Sequence, residues 1–105
     1  MVCKAKDNLD LLRLLSKAKP KQQKEFIKAT NAEQVLALCE CADNTLRGNV
    51  NLNPSQKKRL AKHKSVLRHL ANTKISWKTK QKKLVQKGSG FLSILLPAII
   101  ALLSS

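Results

Sequence analysis

The apolar positions of this chain fall first into short runs with helical spacing. Leu9, Leu11, Leu12 and Leu15 line one side of a segment that Asp7 or Asn8 can cap, which predicts a helix over residues 8 to 18. Pro20 suits a first helical turn, and Phe26 and Ile27 mark the buried side of a second helix over 20 to 30. Asn31 followed by Gln34 has the capping-box pattern. Behind it Val35, Leu38, Cys39, Ala42 and Leu46 keep helical spacing as far as a stop at Gly48, predicting a helix over 32 to 47.

A turn-rich connection, Gly48 to Asn53, leads to a second cap pattern in which Asn53, Pro54 and Gln56 open a helix over 54 to 72. Its inner face is Leu60, His63, Val66, Leu67 and Leu70, expected to pack on Val35, Leu38, Cys39, Ala42 and Leu46. On this pattern His63 belongs to the core. A further helix over 77 to 87 starts after Ser76, with Trp77, Leu84 and Val85 on a narrow apolar side, so that Trp77 anchors the helix instead of stacking on a base.

Gly88-Ser89-Gly90 then reads as a flexible joint before fifteen residues that are apolar on all sides. As a helix these reach about 22 Å, short of the roughly 30 Å hydrocarbon core of a bilayer, and Pro97 is expected to kink them or to begin a second short helix. The pattern predicts an all-α fold: a small bundle of about five short helices followed by a separate hydrophobic C-terminal segment. Residues 1–53 form the core-building region, 54–87 the basic amphipathic helices, and 88–105 the glycine hinge and apolar segment.

Charge divides the chain at the same places. Lysine and arginine number 21 against six acids, a net charge of +15. Residues 54–87 carry twelve basic side chains and no acid, and residues 88–105 carry no charge at all. An ordinary surface mixes both signs, so an uninterrupted basic run implies a polyanionic partner. Lys57, Lys58, Arg59, Lys62, Lys64, Arg68, Lys78, Lys80, Lys82 and Lys83 are the candidates for phosphate contact. With three aromatic residues and no tyrosine there is no stacking platform for single-stranded RNA, which favours duplex DNA; lysine in place of arginine argues against base readout.

Little else in the composition points to chemistry. Three cysteines, an odd number, argue against a disulfide scaffold. Cys39 and Cys41 lie two apart on a helix and so diverge, with Cys39 expected in the core and Cys41 on its flank. His63 and His69 are six apart and fall on different faces, so no metal site or cofactor is expected. The acids Asp7, Asp10, Glu25, Glu33, Glu40 and Asp43 belong to no catalytic motif. A Cys3 or Cys39 nucleophile paired with His63 has no local support, and neither an enzyme nor a small-molecule substrate is expected.

The stretch from Lys82-Lys83-Leu84-Val85-Gln86-Lys87 through Gly88-Ser89-Gly90 to Phe91-Leu92-Ser93-Ile94-Leu95-Leu96-Pro97 has an order of its own: basic run, glycine pair, apolar segment with proline. It resembles the adenoviral core protein X (mu) precursors. The chain as a whole resembles small basic proteins of adenovirus-like elements, the Maverick or Polinton group and adintoviruses, through Leu38 to Ala42, Gly48 to Val50, Gln56 to Leu70 and the Leu84 to Gly88 junction. The resemblance implies a DNA-condensing virion component found in the virion and host nucleus. It also implies processing after Ser89 in the sequence Gln86-Lys87-Gly88-Ser89-Gly90, which is similar to an adenoviral protease site at all but Gln86.

The leading expectation is therefore a sequence-nonspecific nucleic-acid-binding and condensing protein, viral or virus-derived, and a core or minor component of a virion. Second stands a membrane-active protein. There, lysines meet anionic headgroups while Phe91, Leu92, Ile94, Leu95, Leu96, Ile99, Ile100, Leu102 and Leu103 insert into the membrane or dock on a capsid protein. Third stands a helix-turn-helix regulator. For a chain of host origin the expected location is intracellular, nuclear or membrane-associated. The bland alternative is that the apolar segment completes the hydrophobic core.

Overall fold

A computed structural model describes residues 6–104, apart from the side chains of Ser89 and Ser104. Among these residues the chain is helical with no strand. The principal elements are α1 (Leu9–Lys17), α2 (Pro20–Lys28), α3 (Ala32–Leu46), α4 (Pro54–Ala61), α5 (Lys64–Ala71) and α6 (Trp77–Ser104). The all-α class is as the pattern predicts.

The starts and stops written in the sequence are made as hydrogen bonds. Asn31 Oδ1 accepts from Gln34 N at 2.9 Å while Gln34 Oε1 accepts from Asn31 N at 2.9 Å, and Asn53 and Gln56 repeat the exchange at 2.8 and 3.0 Å. Each pair satisfies two N–H groups that a helix start leaves open. At the end of α3, Gly48 has φ +78, Asn49 N donates to Asn44 O at 2.9 Å and Gly48 N donates to Thr45 O at 3.2 Å, a Schellman stop that needs glycine.

Two glutamines join consecutive elements from the inside. Buried Gln23 of α2 donates through Nε2 to Leu15 O at 2.7 Å, closing the end of α1. Gln81 of α6 donates to Ile27 O at 3.0 Å and to Thr30 O at 2.9 Å, closing the end of α2. Both use a side-chain amide to add a donor to carbonyls at a helix end, where the regular i to i+4 bonds run out.

The last third of the chain departs from the expected layout. Residues 88–104 are no separate segment: they continue α6, which packs against each of the other five helices. Trp77–Gly88 and Gly90–Leu103 are two arms bent by 103°. The second arm buries Phe91, Leu92, Leu95, Leu96 and Ile99 in the same core as Leu12, Leu15, Ile27, Leu38, Leu67, Leu70 and Leu84, with Ile94, Ile100, Leu102 and Leu103 packed partly against it. The core-completing alternative describes this arm. A chain this short has few apolar residues with which to fill an interior, and withdrawing those of residues 91–103 would leave the other helices without a centre.

The bend falls at Gly88–Gly90 and not at Pro97. Gly88 lies close enough to Leu92 that a Cβ would stand 3.1 Å from Leu92 Cδ1, and a Cβ on Gly90 would stand 2.9 Å from His63 Cε1. Pro97 sits inside the second arm on its exposed side, as does Ser93, whose carbonyl loses its partner to the proline. Both residues are exposed, and the arm accommodates the proline without a second corner.

The predicted helix 54 to 72 is interrupted at Lys62 and His63, where His63 N donates to Leu60 O at 2.9 Å in a tighter turn. His63 is half-buried, not core: its ring lies 6.0 Å from that of Phe91, under the corner of α6. Leu60, Leu67 and Leu70 do share the core with Val35, Leu38, Cys39 and Ala42 as expected, whereas Leu46 stays exposed.

Candidate nucleic-acid interface

The positively charged residues of 54–87 come from α4, α5 and the first arm of α6. Lys57, Lys58, Arg59, Lys62, Lys64, Arg68, Lys78 and Lys82 are exposed. No acid follows Asp43 in the chain, and among the described residues the ion pairs are Arg13 with Asp10, Lys28 with Glu25 and Arg47 with Asp43, all on helices α1 to α3. The eight exposed cations therefore keep their full charge for an external anion.

Two candidate residues do not fit that surface. Lys80 is 4 % exposed and lies on the buried stripe Trp77, Lys80, Leu84 and Gly88 of the first arm, and Lys83 is half-buried. Lys80 stands near Cys39, whose thiol it pulls back toward ionisation against the larger effect of burial. The i, i+3, i+4 spacing from Trp77 to Leu84 would have placed Lys80 inside. Its charge and the run of lysines around it masked that signal.

Lys28 is a residue that the basic run leaves out. Because Gln81 closes the end of α2, Lys28 is brought beside Lys82, and together with Gln81, Val85 and Gln86 the two lysines line an open groove of about 260 Å³. On the other side of the molecule's sequence order, Lys57 and Lys64 line a second groove with the 45–52 segment. The grooves share no residue, so the positive surface is distributed over several helices instead of being confined to one recognition helix. Lys78 Nζ lies 5.9 Å from the centre of the half-buried Trp77 ring, a cation–π contact that orients it at the start of the first arm.

The cysteines have no part in this surface. Cys39 and Cys41 are both buried, so Cys41 is not on the flank where its spacing placed it. Burial pushes Cys39 up to about 11 and Cys41 up to about 12, with Glu40 adding to both. Thiols in this range stay protonated at neutral pH and are poor nucleophiles. Cys3 lies outside the described residues. Among the described residues no group of three or more His, Cys, Asp or Glu side chains is arranged to hold a metal ion.

The sequence suggested for processing, Gly88-Ser89-Gly90, has helical backbone at the corner of α6, with Gly88 buried. A protease requires an extended, accessible strand of substrate, so cleavage after Ser89 demands that the corner open first. Among the described residues no single helix is long and apolar enough to cross a membrane.

No family model matches this chain, and neither a curated protein nor a solved structure matches it.

Proposed function

We propose that this protein binds nucleic acid, duplex DNA in preference, without reading its sequence. The observation that carries the proposal is the set of nine exposed lysines and arginines from Lys57 to Lys82, Lys74 among them, in a region with no acid to neutralise them. Binding would proceed by release of counterions from the phosphates. Lysine is a point charge without the planar fork that recognises guanine, which is why contact with the backbone is favoured over base readout. On the resemblance to core proteins of adenovirus-like elements, the anion would be a packaged genome and the protein a component of a virion core.

The experiment is a titration of random-sequence duplex DNA at low salt, with polyglutamate of equal charge as competitor. Binding of many sequences with similar affinity, little displaced by the polypeptide, is the expected result. Undetectable binding, or one sequence preferred by about a thousandfold, would remove the proposal.

A membrane-active role is the second reading, supported by one observation: the two arms of α6 together have the length and composition of a span, although bent by 103°. It requires Phe91, Leu92, Leu95, Leu96 and Ile99 to leave the core. Leakage of anionic vesicles that rises when Gly90→Ala crowds His63 and loosens the corner is the result that would favour it.

A further inference from the structure

One of the lysine-lined grooves lies between the end of α3, the 48–52 connection, α4 and α5. It encloses about 450 Å³, within the range of small-molecule sites. Leu46, Val50, Leu52, Leu60 and Leu67 give it an aliphatic side, and Thr45 and Asn51 add polar groups to the lining. Lys57 and Lys64 belong to the same lining and are exposed, with no acid after Asp43 to pair with them.

Leu46 supplies the second observation. Among the described residues Leu14 and Leu46 are the large apolar side chains left exposed, and Leu46, at 37 %, faces this groove. Exposed aliphatic surface beside two unpaired ammonium groups selects a ligand with an anionic end and a flexible apolar body. No aromatic side chain lines the groove, so a nucleotide base would find nothing to stack on, whereas an acyl chain needs only aliphatic walls. We propose that this groove binds a single-chain aliphatic carboxylate, its chain along Leu46, Leu52 and Leu60 and its carboxylate between Lys57 and Lys64. The site does not depend on nucleic-acid binding, although it shares two lysines with that surface.

The test is titration of the full-length protein with decanoate and dodecanoate below their micelle concentrations. Calorimetry gives the affinity, and methyl resonances of Leu46, Leu52, Leu60 and Leu67 give the place. Saturable one-to-one binding is expected, tightening by about fourfold for each added buried methylene, with shifts concentrated on those methyls. Lys57→Gln with Lys64→Gln should weaken it by about tenfold, and Leu46→Asp, at an exposed position, should abolish it while leaving the melting temperature unchanged. If Leu46→Asp alters folding, the two lysine replacements decide alone. Equal binding of dodecyltrimethylammonium, shifts spread over the whole surface, or an affinity indifferent to both lysines would overturn the proposal. Leu46→Asp should leave DNA affinity within about twofold, so failure here and failure of nucleic-acid binding are read separately.

Discussion

At the scale of single residues the interior sets the strictest conditions. Leu67 is buried at the meeting of α3 and α5, so Leu67→Asp would force a carboxylate in among the apolar side chains of the core. Loss of more than about 4 kcal/mol is expected, read by urea denaturation; unchanged stability would put that face in solvent. The buried thiols make a second prediction. Cys39 and Cys41 ionise more readily in the unfolded chain, near the ordinary value of 9.0, than in the fold, near 11 and 12. Their contribution is complete below pH 9 and is lost as pH rises toward 12, because the unfolded state gives up protons first. Thermal melts should therefore fall more steeply with pH above 9 in the native protein than in a Cys39→Ala, Cys41→Ala variant, the comparison cancelling the titration of the lysines. Residue identity was legible where hydrophobicity and spacing agreed, as at Leu60, Leu67 and Leu70. It misled where they conflicted: Lys80 sits on an inward position with a charged side chain, His63 on an inward position that the corner of α6 only partly covers, and Leu46 on an apolar position that the groove leaves open.

At the scale of elements, helix starts were the best-written feature of the chain, since Asn31 with Gln34 and Asn53 with Gln56 bond locally and need no knowledge of the fold. Helix junctions made over long range were not visible. The bond from Gln81 to the end of α2 spans more than fifty positions, and nothing in the local sequence distinguishes Gln81 from Gln86. Gln81→Ala should strand the carbonyl of Thr30, leave Ile27 O to Thr30 alone and cost about 1–3 kcal/mol, whereas Gln86→Ala, at an exposed site, should cost little. Equal effects in denaturant melts would show that the junction contributes nothing. The course of α6 was hidden for a similar reason. Gly88-Ser89-Gly90 signals a break, and only the cost of leaving the apolar residues of 91–103 outside so small a core shows that the chain turns back into the bundle there.

For the whole molecule, a body of 31 × 26 × 26 Å carries a net charge of +15 around a core that the uncharged second arm of α6 completes. The three zones of the sequence are thus not three modules: the acidic and basic first part, the basic middle and the apolar end fold around one interior, and apart from Lys80 and the half-buried Lys83 the cations of the basic middle are left on the outside. That the outside is polycationic was legible from composition. Which cations are free to meet phosphate was not, because exposure depends on how α6 is turned against its neighbours. The most direct measurement is the salt dependence of duplex DNA binding for the native protein, Lys82→Gln and Lys80→Met. Exposed Lys82 should contribute one phosphate contact, so that its replacement lowers the slope of log affinity against log salt by about 0.9 and weakens all sequences alike. Buried Lys80 should contribute none, and its variant should keep the native slope. A slope unmoved by Lys82→Gln, or no salt dependence at all, would contradict phosphate binding by this surface.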